Sequence, residues 1–185
     1  MATPDSFEVS ATVDATAMQV LFAFLDVDAI KAWWKAKNAV VQPRPGGVFA
    51  VQWEPGTHGT DDVLGPSGGV LTGVLDKAMG GHFVYFGALH WMTPKGETFG
   101  PVRLEVDVFS KNDPRKKPTL VRVRMSAFQA GPKWDRYRTV AEQAWEKTLQ
   151  DLKHYCESQV PAEPDTKNLG GAYLQEAVLH HRRIS

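Results

Sequence analysis

The sequence predicts an α+β domain in which a curved antiparallel sheet of about six strands lays its concave face on one long C-terminal helix. Three observations carry that expectation. Apolar runs of strand length follow one another from Val48 to Phe128, separated by Gly and Pro clusters. Near the C-terminus Ala141, Trp145, Thr148, Leu149, Leu152 and Cys156 recur at helical spacing and form a single stripe. One alternating strand and two short helical segments come before both.

Taken in order, Phe7 to Val13 alternates, with Phe7, Val9, Ala11 and Val13 on one side and Glu8, Ser10 and Thr12 on the other. Asp14 is placed to cap a helix from Ala15 to Leu25, in which Met18, Leu21, Phe22 and Leu25 share a face. Asp28 is placed to cap a second one, ahead of Ile30, Trp33 and Trp34. The stretch PRPGG makes a hard corner, and the following strand, Val48 to Trp53, is apolar on both faces. Strands are then expected at Val70 to Leu75, His82 to Trp91, Val102 to Phe109 and Leu120 to Phe128, as a meander. The last two flank the polar turn SKNDPRKKP. Pairing Val106 with Val123 also sets Asp107 opposite Arg122 and Glu105 opposite Arg124, which fixes a register. The basic turn Lys111 to Lys117 reads as a solvated loop rather than a binding patch. The long helix follows GPKWDRY. After it, PAEPDTKN reads as a linker and LGGAYLQEAVLHHRRIS as a marginal helix with Leu174, Ala177 and Val178 on its apolar side. The expected organisation is one domain over residues 1–158 and a tail over 159–185.

Composition narrows the function. The chain has 185 residues, 43% hydrophobic and 10% aromatic, enough to bury a sizeable core. Its 21 basic residues balance 21 acidic ones, so no global field gathers nucleic acid or an anionic membrane. No run approaches the roughly 18 apolar residues of a membrane span, and MATPDSFEV lacks the basic and apolar regions of a secretory leader. Cys156 is the single cysteine, which excludes an intrachain disulfide and fits a cytoplasmic protein. There is no Gly-x-Ser-x-Gly elbow, phosphate-binding Gly-rich loop, His-Glu-x-x-His or Cys-x-x-Cys. His58 has Asp61 and Asp62 nearby but no second imidazole at ligand spacing, so no metal is expected, and no cofactor. His180 and His181, beside Arg182 and Arg183, read as solvated. Cys156, on the apolar stripe, reads as a buried thiol rather than a nucleophile.

The paired Trp33 and Trp34, the RPGG corner leading into VFAVQW, the strand GVLTGVL, the strand ending in LHW and the helix AWEKTLQDLKHYCE together resemble the SRPBCC or START-like superfamily. Within it they are most similar to the branch related to the C-terminal domain of the activator of a heat-shock chaperone ATPase. The likeness runs over about residues 7–157, and its most specific pieces are the Gly-Gly corner and a Trp followed by Leu-x-x-Leu-x-x-Tyr. It implies a helix-grip fold enclosing an apolar cavity, and so a small hydrophobic ligand such as a lipid, polyketide or aromatic metabolite. The expected lining is Phe49, Val51 and Trp53 from one strand, the odd-numbered face Phe83, Tyr85, Leu89 and Trp91 from another, and Trp145 and Leu149 from the helix. Other superfamily members imply a cyclase- or hydratase-like alternative, for which Tyr85 or His90 would orient a carbonyl or move a proton. A chaperone partner is disfavoured, because the likeness reaches only the C-terminal half of that activator. A homodimer through the outer sheet face or residues 169–184 is the remaining partner expectation.

Overall fold

The computed structural model describes residues 5–79, 83–110 and 116–158, so the linker, the expected tail helix and most of the basic turn lie outside the described residues. Strand β1 (Ser6–Val13) leads into helices α1 (Ala17–Leu25) and α2 (Val27–Trp33). Both caps fall on neighbours of the expected ones. Thr16, not Asp14, caps α1: its Oγ1 accepts the Gln19 amide at 3.3 Å while the Gln19 side chain accepts the Thr16 amide at 2.9 Å. Asp26, not Asp28, caps α2 by accepting the Ala29 amide at 2.7 Å. Asp28 sits in the first turn instead, where its charge favours the helix N-terminus. The Trp33 indole N–H donates to the Ala23 carbonyl at 2.8 Å and ties the two helices together.

The remaining strands are β2 (Asn38–Val41), β3 (Gly47–Trp53), β4 (Thr60–Asp61), β5 (Gly65–Pro66), β6 (Gly69–Met79), β7 (Phe83–Met92), β8 (Thr98–Ser110) and β9 (Thr119–Ser126), followed by helix α3 (Pro132–Ser158). The main sheet has seven strands in the order β1-β9-β8-β7-β6-β3-β2, and every neighbouring pair is antiparallel. The strand beyond the expected number is β2, four residues at the sheet edge whose short pattern gives no periodic signal. Between β3 and β6 the two-residue strands β4 and β5 form a small flap. Helix α3 takes in the KWDRY segment that sequence assigned to a lead-in, with Pro132 at its first position, where a missing amide costs nothing.

The charge-matched register is present: Val106 pairs with Val123, Asp107 with Arg122 and Glu105 with Arg124. The Arg122 guanidinium reaches Asp107 at 2.7 Å. The PRPGG corner turns β2 back on β3. Gly46 takes φ +69°, and a Cβ on Gly47 would stand 2.1 Å from the Gln42 carbonyl oxygen, so only glycine fits there. Of the two apolar faces of β3, one is core, with Gly47, Phe49, Val51 and Trp53 buried. The other is solvent, with Val48 45% exposed.

Strand β7 corrects the sequence reading. Its buried residues are Val84 and Phe86 in the first half and Leu89 in the second, so the inward face changes from even to odd numbers along the strand. Phe86 pairs with Leu104 and Leu89 with Val102, which puts one extra residue on β7, and Ala88 takes φ +46° there. A bulge of this kind exchanges the faces of everything beyond it. Tyr85 therefore pairs with Glu105 and Lys77 rather than joining the core-facing set.

The concave face of the sheet buries Val9, Val13, Phe49, Phe86, Val106 and Val123, while α3 covers it with Trp145, Leu149, Leu152 and Cys156. Helices α1 and α2 close one end with Val20, Phe24, Ile30 and Trp33. Each fully buried side chain of this size contributes about 1.5–3 kcal/mol. A curved sheet wrapped on one long helix, with two short helices after the first strand, is the helix-grip arrangement.

Candidate functional site

The interface between sheet and helix is filled at one end and open at the other. At the filled end Phe49 and Phe86 stand 4.3 Å apart between ring centroids, and Phe24 meets Trp33 edge-on at 5.1 Å. At the other end lies a cavity of about 330 Å³. Its sheet wall is Trp53, Leu71, Leu89, Trp91, Leu104 and Met125. Its helix wall is Tyr137, Val140, Ala141, Ala144, Trp145 and Thr148, with Gln143 and Lys147 at an exposed rim. Trp34, just past the end of α2, and the flap residues His58 to Asp61 and Leu64 close the remaining side. Ala141 and Ala144 supply the space: larger side chains on that turn of α3 would occupy it.

The aromatic walls are held rigidly. Trp34 packs against Trp53 at 5.0 Å and Trp145 at 5.1 Å, and Trp91 stacks on Tyr137 at 5.1 Å. Three of the wall indoles have their N–H already used. That of Trp53 donates to the Trp34 carbonyl at 2.8 Å, that of Trp91 to the Gly68 carbonyl at 2.7 Å and that of Trp145 to the Met125 sulfur at 3.1 Å. With their polar atoms satisfied, the rings present apolar π faces to the cavity. Burial pushes the Tyr137 hydroxyl well above the usual phenol range, so it stays protonated.

The flap is latched to α3. Asp61 Oδ2 accepts from both Arg136 Nε, at 2.9 Å, and Arg136 Nη2, while Oδ1 accepts the Val63 and Leu64 amides at 2.9 Å each. The Arg136 guanidinium, helped by those amides, holds the Asp61 carboxyl down to about 2. Within the flap the His58 amide donates to Ser67 Oγ at 2.8 Å, and the His58 ring lies edge-on to Trp53 at 6.2 Å. Burial, with Lys35 and Lys147 nearby and Asp151 opposing them, moves the His58 imidazole below its ordinary 6.5. It is neutral at pH 7.

Of the residues singled out from sequence, Trp53, Leu89, Trp91 and Trp145 stand in the cavity wall. Phe49, Val51 and Leu149 are in the filled core instead, each at most 1% exposed. Tyr85 is half-buried on the outer side of β7, and His90 places Nδ1 3.0 Å from the Ala88 carbonyl oxygen, neither of them in the wall. The side chain of Phe83 lies outside the described residues. Sequence reading missed Trp34, Tyr137 and the flap. The first two were within reach, since Trp34 belongs to the quoted Trp pair and the helical period of α3 extends back to Tyr137. The flap carries no periodicity to find. Cys156 is buried at the far end of α3, and burial, then Glu157, pushes its thiol up to about 12. Among the described residues no group of three or more His, Cys, Asp or Glu could hold a metal, and no helix is long and apolar enough to cross a membrane.

The family model described as Activator of Hsp90 ATPase homolog 1-like protein matches residues 14–157. No curated protein matches the chain. Among solved structures, protein MLL2253 from Mesorhizobium loti is similar at 15% identity and TM-score 0.58, over 81% of this chain and 95% of that one. The Aha1 dimer from Colwellia psychrerythraea is similar at 13% identity and TM-score 0.57, over 84% of this chain and 98% of that one. PFC0360w, an HSP90 activator from Plasmodium falciparum, is similar at 14% identity and TM-score 0.58, over 80% of this chain and 94% of that one. At these identities the likeness is one of fold.

Proposed function

From the premise that this chain belongs to the family of Activator of Hsp90 ATPase homolog 1-like proteins, we propose that it is a noncatalytic binding protein for a small hydrophobic molecule of the lipid, polyketide or aromatic class. The observation that carries this reading is the cavity of about 330 Å³ walled by Trp34, Trp53, Trp91 and Trp145. That volume falls in the range of small-molecule sites, roughly 300–1,000 Å³. The Trp53, Trp91 and Trp145 rings, whose N–H groups are already bonded, gain from a ligand chiefly by apolar burial and stacking, at about 25 cal/mol per Å² removed from water. Trp53, Leu89, Trp91 and Trp145 are the proposed contacts from the sequence-derived set, with Trp34 and Tyr137 added. The cyclase- or hydratase-like alternative loses support, because Tyr85 and His90 stand outside the cavity wall.

The test is titration with N-phenyl-1-naphthylamine, an uncharged aromatic probe whose fluorescence rises in apolar surroundings. Saturable enhancement is expected with the natural chain. Ala141→Phe, which fills the cavity, is expected to abolish it while circular dichroism and the melting temperature stay near the natural values. No saturable enhancement, together with native mass spectra free of any co-purifying molecule, would overturn the reading. We place the protein in the reducing cytoplasm, where its single buried thiol needs no partner. A second copy of the chain is the macromolecular partner we propose, seated on the outer face at the β2 edge, where Val40 is 53% and Val48 45% exposed. The Colwellia relative is a dimer. The chaperone partner has no comparable feature behind it among the described residues.

A further inference from the structure

Among the described residues, two buried side-chain nitrogens lack a hydrogen-bond partner, His58 Nε2 and Arg138 Nε. Arg138 Nη1 is paired with Glu142 at 3.5 Å, and Arg138 is not in the cavity wall. His58 is in it. A ring nitrogen taken out of water with nothing in return destabilises the fold, and one that faces a cavity is placed to be completed by whatever occupies it.

The surroundings say what kind of group would do so. The charged residues facing His58 are Lys35, just past α2, and Lys147 and Asp151 on α3. Asp151 is paired with Lys35 at 3.2 Å, which leaves Lys147, exposed on the cavity rim, to set the sign of the field. The acid of the wall, Asp61, is already committed to Arg136 and two backbone amides. In the tautomer that carries its hydrogen on Nε2, a neutral imidazole donates to an anionic oxygen, and the ammonium beside it favours the same ligand group.

Resting on the cavity reading above, we propose that the ligand is an aromatic acid: its rings lie among the tryptophans and its anionic oxygen accepts from His58 Nε2, with Lys147 supplying the opposite charge at the rim. The flap thereby gains a role beyond closure, since it brings a polar group that orients the ligand.

The experiment compares two probes that share one skeleton, the uncharged N-phenyl-1-naphthylamine and 8-anilinonaphthalene-1-sulfonate. The sulfonate is expected to bind about tenfold more tightly to the natural chain. His58→Phe keeps an aromatic ring and removes the nitrogen, and is expected to erase most of that preference, read as the ratio of the two Kd values within the same variant. Lys147→Met erases part of it, and His58→Gln, which keeps a donor, retains it. Thermal melts of each variant establish that it is folded. Equal affinity for the two probes, or a preference that survives His58→Phe, overturns the acid while leaving the cavity reading standing. Binding of neither probe takes down both.

Discussion

Cys156 shows at the scale of one residue how burial decides chemistry. The sequence put it on the apolar stripe of α3, and the structure buries it to 5% exposure, with the thiol pushed up to about 12. At pH 8 nearly all of it is therefore the unreactive protonated form. With a disulfide reagent such as 5,5′-dithiobis(2-nitrobenzoate) the native chain is expected to react at least about a hundredfold more slowly than the chain unfolded in guanidinium. Equal rates would mean that the stripe opens readily and that α3 is not packed as described. Gly47 makes the complementary point. The RPGG corner was legible because two adjacent glycines after two prolines signal a turn, but the reason for Gly47 itself, a carbonyl oxygen 2.1 Å from where a Cβ would stand, is a contact no pattern displays. The helix caps were legible only to within two residues. Several oxygen-bearing side chains precede each helix, and the one with the right backbone geometry wins.

Three parts of the fold shape the site, and they were legible to different degrees. The β8–β9 register was readable because alternation and charge pairing act between directly opposed residues. Strand β7 was not, because the bulge at Gly87 and Ala88 reverses the inward face in mid-strand, carrying Leu89 and Trp91 toward the cavity and leaving Tyr85 outside. The flap is the element with a testable switch. The folded Asp61 carboxyl titrates at about 2, below its ordinary value. A depressed carboxylate contributes stability that is present above the unfolded value, about 3.9, and is lost as pH falls through the folded one. The latch should therefore release between about pH 4 and pH 2. Asp61→Asn, which removes the charge at pH 7, is expected to raise amide exchange in residues 54–68 about tenfold while the melting temperature changes by only a few degrees. Exchange in the variant at the natural rate would show that the Asp61–Arg136 contact does not hold the flap.

For the molecule as a whole, the balance of 21 basic and 21 acidic residues leaves no net repulsion between copies, and among the described residues β2 is an edge strand, with Val40 and Val48 exposed beside it. If two copies meet there, Val40→Lys with Val48→Lys halves the mass measured by light scattering and leaves the melting profile of the monomer intact; a natural chain that is monomeric at high concentration would dispose of the dimer. At this scale the sequence by itself determined the order of the longer elements, the α+β class, the pairing of β8 with β9 and the family, because periodicity, turn residues and opposed charges are local properties that survive being written as a string. Only the tertiary structure decided which apolar residues are core and which line a cavity. Phe49, Val51 and Leu149 belong to the same patterns as Trp53 and Trp145, yet they pack solid because α1 and α2 close their end, whereas two alanines of α3 and a latched flap leave room at the other. Whether a buried side chain meets protein or open space depends on volumes brought from distant parts of the chain, and no local pattern carries that information.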